Sequence, residues 1–207
     1  MSGQRIDKII SFTCQFLNHV AEKWETTVPH DNLPPAFGNA HKWVALVQQI
    51  LGGIQDQWRA NRLNRDDTAI LEALESTKAA AQNLSAVFRA IENAAETDRN
   101  GRYEEFLRTP NATGIEVALF QLLQGPHELI DECIIDATVD QAHEVTEAIK
   151  ELKLLQPSTP MNQTAAVAHY GRGGLFSNPG SGRQNVNMRN GTQYNSERMN
   201  LAGRSNS

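Results

Sequence analysis

The chain has 207 residues and a formal net charge of -5, a length that suits one domain plus an appendage. No run approaches the roughly 18 consecutive apolar residues of a membrane span. The start, Met1-Ser-Gly, leads into an amphipathic segment instead of an apolar secretory h-region, so a soluble cytoplasmic protein is expected and the sequons at Asn83, Asn111, Asn162 and Asn190 are read as chance.

The charge is split. Residues 161–207 carry Arg172, Arg183, Arg189, Arg198 and Arg204 against the single acid Glu197. Positive charge therefore collects in the tail, and residues 1–160 are more acidic than the total of -5 implies. An acidic body disfavours nucleic acid and anionic membrane surfaces as partners unless basic groups cluster.

The body is helical by periodicity. In the first predicted helix Ile6, Ile10, Thr13, Leu17, Val20 and Trp24 alternate spacings of four and three. In the second, Leu33, Phe37, Ala40, Val44, Val47, Leu51, Ile54 and Trp58 repeat the pattern. In the third, Ile70, Leu74, Thr77, Ala81, Leu84, Phe88, Ile91 and Ala95 continue it. A 3.5-residue repeat puts each set on one stripe and favours bundle packing.

The punctuation fits this division. Asn32 can cap the second helix, with Pro34 and Pro35 tolerated in its first turn. Asp66 or Asp67 can cap the third, and Asn100-Gly101 is expected to end it. Gly52-Gly53 inside the second helix points to close packing or to a hinge. A short helix follows over 102–108. Ile115, Ala118, Leu119, Leu122 and Leu123 open another, which Gly125-Pro126 interrupts or kinks before Leu129, Ile130, Cys133 and Ile134 resume it. A last helix is expected near 139–155, with Ala142, Val145, Ile149 and Leu152 inward. Gln156-Pro157-Ser158-Thr159-Pro160 then opens a linker. No segment of the body alternates with period two, so no sheet is expected there.

From Met161 the composition turns to Gly, Asn, Ser and Arg, and glycine recurs at Gly173, Gly182 and Gly191. Gln184 and Gln193 hold the same place after their glycines. Such a tract can be disordered alone yet stack into a β-ladder with copies of itself, because Asn and Gln side chains hydrogen-bond along a stack. Gly182, Gln184, Asn185, Val186, Asn187, Gly191, Thr192, Gln193, Tyr194 and Asn195 are the candidate self-association residues.

Catalytic patterns are missing. Gly171-Arg-Gly-Gly174 and Gly180-Ser-Gly-Arg183 lack the lysine of a P-loop. There is no G-x-S-x-G elbow and no H-E-x-x-H pair. The acids Glu128, Asp131, Glu132, Asp136, Asp140, Glu144, Glu147 and Glu151 read as a solvated helical face, and the histidines are too scattered for ligation. Trp24, Trp43 and Trp58 read as bundle core, and Cys14 and Cys133 as small buried thiols. No enzyme, cofactor or metal is expected. Arg172-Gly-Gly174 is one RGG triplet where RNA-binding segments use several. In the first helix Ile6, Ile9, Ile10, Phe16, Leu17, Val20 and Trp24 form an apolar face with Phe12 toward its edge, and Ile6, Ile9, Ile10, Phe12, Phe16 and Leu17 are the candidate membrane-active residues. Core packing is its default use, and insertion at a membrane interface is the alternative.

Asn32-Leu33-Pro34-Pro35-Ala36-Phe37-Gly38, followed by Ala40, Val44, Leu46, Val47, Ile50 and Leu51, resembles the second-helix signature of the SesA-type N-terminal domain of fungal STAND (NACHT or NB-ARC) proteins, with Leu33, Pro34, Ala36 and Phe37 at its centre. That domain is helical and HeLo-like. The tail resembles the sigma-type (SesB-like) amyloid motif of fungal death-pathway proteins, on Gly180, Gly182, Gln184, Asn185, Asn187, Asn190, Gly191, Thr192, Gln193, Tyr194 and Asn195.

Together the two resemblances imply a non-enzymatic effector of fungal programmed cell death or heterokaryon incompatibility. A STAND/NACHT receptor bearing a similar motif would template the tail, the chain would assemble with itself, and the helical domain would act on the plasma membrane after activation. The organisation expected is an all-α antiparallel multi-helix bundle over 1–156, a linker over 157–170, a Gly/Asn/Gln-rich amyloid-like motif over 171–196 and a disordered terminus over 197–207. The alternative is a helical adaptor whose flexible basic tail tethers a partner or RNA.

Overall fold

The computed structural model describes residues 2–27, 33–60, 62–63 and 67–155. Among them every regular element is a helix: α1 (Ser2–Thr27), α2 (Pro35–Arg59), α3 (Asp67–Ile91), a one-turn 3-10 helix (Glu96–Asp98), α4 (Arg99–Leu107), α5 (Ile115–Asp131) and α6 (Val139–Leu154). The 3.5-residue stripes become the core. Ile6, Ile10, Thr13, Leu17 and Val20 are buried on α1, Phe37, Ala40, Val44, Val47, Leu51 and Ile54 on α2, and Ile70, Leu74, Thr77, Ala81, Leu84, Phe88 and Ile91 on α3.

The helices form a bundle in which α1 packs on α2 and α3, and α5 packs on α2, α3 and α6. Side-chain pairs fix the directions. Asn18 meets Gln48 while Asp7 meets Gln55, so α1 and α2 are antiparallel. Arg5 meets Glu75 while Lys23 meets Glu92, so α1 and α3 run parallel. Trp43 is fully buried, and Trp24 and Trp58 are half-buried against the core.

Several boundaries differ from the sequence reading. The third helix stops at Ile91, where its apolar stripe ends; Ala95 is exposed, and Asn100-Gly101 lies inside α4, which starts at Arg99. Pro34 is the N-cap of α2 and Pro35 its first helical residue, while Asn32 and Asp66 lie outside the described residues. A Cβ added at Gly52 or Gly53 would have no neighbour within 4 Å, so close packing is not the reason for either glycine. Gly125-Pro126 does not interrupt α5, which runs unbroken from Ile115 to Asp131. Proline removes one N–H from the ladder, and the close seating of Gly125 on α3 holds the helix through that gap: an added Cβ would lie 2.7 Å from the Ala73 carbonyl oxygen.

Cys133 is not a buried helical thiol. It is exposed, beyond the end of α5, at φ 54. Cys133 N–H donates to the Ile130 carbonyl at 3.0 Å and Ile134 N–H to the Leu129 carbonyl at 2.9 Å, the paired bonds of a Schellman cap. That cap normally uses glycine, because a Cβ in the left-handed region costs about 1–2 kcal/mol. Glycine also loses more chain entropy on folding. Cys133→Gly should therefore stabilise the bundle by about 0.5 kcal/mol, seen as a small rise in melting temperature.

Candidate functional site: the seat of the first helix

The first helix is the candidate effector element, and its seat is built at three levels. Its stripe is buried: Ile6, Ile9, Ile10 and Leu17 are at most 4% exposed. Phe16 is half-buried against the core, and Phe12 stands 52% exposed. Four of the six residues of the candidate membrane-active face are thus spent on packing, and Phe12 alone faces solvent.

The C-terminal end of α1 is clamped. Arg99, at the start of α4, donates from Nη1 to the Thr27 carbonyl at 2.9 Å and from Nη2 to the Thr26 carbonyl at 3.2 Å. The last turn of α1 has no basic residue of its own, and a cation there satisfies free carbonyls and the helix dipole together. Trp24 Nε1–H donates to the Phe37 carbonyl at 2.8 Å, and the His41 ring lies on Trp24 with centroids 3.9 Å apart.

Phe37 is the hub of this end. Its ring meets Phe88 of α3 at 5.5 Å and Tyr103 of α4 at 5.2 Å, both edge-on as aromatic quadrupoles favour. The Tyr103 hydroxyl in turn accepts from Ile115 N–H at 2.9 Å, serving the first turn of α5. The residues that carried the family resemblance are therefore structural. Ala36 and Phe37 are buried, Leu33 is half-buried, and Pro34 starts the helix.

Polar side links complete the seat. Gln55 Nε2 donates to Asp7 Oδ1 at 2.8 Å, Arg59 lies 3.2 Å from the same oxygen, and Gln48 donates to Asn18 at 2.7 Å. On the α3 side Lys23 Nζ is 3.0 Å from Glu92 Oε2, and His19 Nδ1 is 3.1 Å from Ser85 Oγ with its Nε2 3.6 Å from Glu92. A serine, a histidine and a carboxylate in line invite a hydrolase reading. Ser85 is 1% exposed, so no substrate reaches it, and the carboxylate already holds Lys23. The trio is an interhelical link. Burial also pushes the Cys14 thiol up, which makes it a poor nucleophile.

Hydrogen bonding from Lys23 holds the Glu92 carboxyl below its ordinary range; the nearby His19 and Arg89 charges add to this, and burial opposes it. A carboxyl lowered by folding stabilises the fold fully above its unfolded pKa, about 4.3. That contribution fades as pH falls through the folded value. Glu92→Gln should therefore lower stability at pH 7, and the difference from the parent protein should start to shrink near pH 4.3 and vanish only once pH has fallen through the lowered folded value, measured by urea unfolding across pH. A constant difference at every pH would contradict the linkage.

Among the described residues no three His, Cys, Asp or Glu side chains come together as metal ligands do, and no helix is long and apolar enough to cross a membrane. Asp131, Glu132, Asp136, Asp140, Glu144 and Glu151 are exposed and Glu128 and Glu147 half-exposed, a solvated face as their spacing suggests. The candidate self-association residues Gly182, Gln184, Asn185, Val186, Asn187, Gly191, Thr192, Gln193, Tyr194 and Asn195 lie outside the described residues. Sequence reasoning did not find Arg99 or Gln57, whose partners are backbone groups far along the chain. A polar residue seven after Ile50 on the buried face was the one available signal for Gln57.

The described residues thus form an all-α bundle whose polar links tie the helices to one another. The chain belongs to the SesA family, described as an N-terminal domain on NACHT NTPases and P-loop NTPases, whose model matches residues 10–129. No curated protein and no solved structure matches it.

Proposed function

We propose that this protein is a non-enzymatic signalling effector of fungal cell death or incompatibility, partnered with a NACHT-type receptor. The observation that carries the reading is the SesA match over residues 10–129, on a bundle whose matched signature is its packing hub. The tail acts as the switch: a receptor bearing a similar Gly/Asn/Gln motif templates residues 171–196 into a cross-β stack, and the copies gather. Clustering multiplies weak contacts without any new one being made.

The bundle then delivers the output, and the membrane is its target. On α1 the exposed apolar handle is Phe12. Withdrawing α1 whole would re-expose Ile6, Ile9, Ile10, Leu17 and Val20. At about 1.5–3 kcal/mol per side chain, that rivals the entire stability of a domain, about 5–15 kcal/mol. The first helix therefore leaves its seat only if assembly supplies that energy.

The test is fibril growth by the full chain, read by thioflavin fluorescence and fibre diffraction. A lag followed by reflections near 4.7–4.8 Å and about 10 Å supports the switch. A chain that stays monomeric at high concentration, and binds RNA in a salt-sensitive way, favours the adaptor with a basic tether.

A further inference from the structure

Helix α6 lies beyond the matched residues 10–129 and is held differently from the rest of the bundle. Of its 16 residues, Val145, Ala148, Ile149 and Leu152 are buried. Its neighbour α5, at 17 residues, buries ten. Burial drives the folding of each helix far more than propensity does, so α6 is the long helix with the least holding it down.

What does hold it are polar pins at its start. Gln57 of α2 donates from Nε2 to the Asp136 carbonyl at 2.6 Å and accepts from Asp136 N–H at 2.8 Å, pairing with the backbone as a strand would. Two residues on, Thr138 and Gln141 form a capping box, each side chain bonded to the other's N–H at 3.1 Å. At the far end Leu152 is buried, Leu155 packs against the core, and Lys153 lies over the Phe120 ring at 5.9 Å.

The face of α2 that carries Gln57 also carries Ile50 and Trp43, spaced by seven residues and so nearly superposed around the helix. Trp43 is fully buried, and among the described residues its indole N–H has no hydrogen-bond partner. A buried donor left unmade is a standing cost of the closed state.

We infer that α6 is a releasable strap: it opens as a unit while α1–α5 stay folded, and its opening uncovers the end of α2 that carries Gln57. The hinge is the segment between the Schellman cap at Cys133 and the capping box at Thr138, and the Gln57–Asp136 pair is the clasp beside it. The strap does not depend on the tail being an amyloid switch.

Native-state hydrogen exchange of the full chain, read by mass spectrometry, tests it. Protection over 139–154 should be at least about tenfold lower than over α3 and α5, the mark of a separate opening unit. Thr138→Ala removes the cap without touching the core and should lower protection over 139–154 by about a further fivefold, leaving α3 and α5 unchanged. Gln57→Ala should act in the same place and more strongly; if it fails to fold, Thr138→Ala decides. Equal protection of α3, α5 and α6 in the parent protein, or a uniform fall in all three in Thr138→Ala, overturns the strap.

Discussion

Gly125→Ala should be among the most damaging single-methyl changes in the bundle. In an isolated helix the same substitution would help, by about 1 kcal/mol. Here the new Cβ would lie 2.3 Å from Thr77 Oγ1 and 2.7 Å from the Ala73 carbonyl oxygen. One obstacle is a side chain and the other is helical backbone, so rotamer changes cannot clear both. Thr77 is further fixed by its own hydrogen bond to that carbonyl, at 2.7 Å. Helices α3 and α5 must separate along their seam, and overpacking of this kind costs about 1–3 kcal/mol or more. With the backbone clash at the upper end of that range, the expected result is a net loss of about 2 kcal/mol, with a fall in melting temperature of roughly 4–8 °C at this domain size. Thr77→Ala should rescue part of the loss and not all of it, because the Ala73 carbonyl remains. A double-mutant cycle reads that coupling directly. An unchanged melting temperature for Gly125→Ala would show that the seam is looser than its geometry.

That position shows what was legible in the sequence and what was not. Gly125-Pro126 is conspicuous in a string of letters, and its local meaning is a break. The tertiary meaning is the reverse: a place where two helices meet so closely that only a hydrogen atom fits. Local chemistry cannot announce a partner on another helix far back along the chain, and Thr77 and Ala73 carry no sign of it. The heptad stripes were legible because each residue's burial follows from its own helix, and Ile6 through Ile91 fell inward with few exceptions. Boundaries were less so. The stop at Ile91 follows from the end of the stripe, while Asn100-Gly101 sits in a helix whose start is fixed by Arg99 reaching the carbonyls of Thr26 and Thr27. Of the seat of α1, the apolar half was readable and the clamp was not. The signature at Leu33–Phe37 pointed to the right family, for a reason only packing supplies: Phe37 is where α1, α2, α3 and α4 converge.

On the proposed switch, Gln193→Pro should block seeded fibril growth by the tail. In an in-register stack every residue donates to one neighbouring chain and accepts from the other, and identical side chains repeat every 4.7–4.8 Å. Proline has no N–H to donate and fixes φ near -65°; in a helix interior that costs about 3 kcal/mol or more, and a loss of the same order is expected in the stack. Each added copy brings the same defect to the growing end. At 1.4 kcal/mol per tenfold, elongation should slow by roughly a hundredfold or more. Gln193→Asn keeps the backbone donor and the side-chain amide, and should still grow. Helix content and melting of the bundle serve as the control for folding in both variants. The arginines give a second handle on the proposed stack. Like charges held in register repel, and salt shortens their reach to about 10 Å at 0.1 M. Growth of the parent chain should therefore quicken with salt, whereas binding to RNA through those arginines would weaken. Seeded growth of Gln193→Pro at the parent rate would remove the tail from the switch, and slower growth in salt would leave the arginines with some role other than opposing the stack.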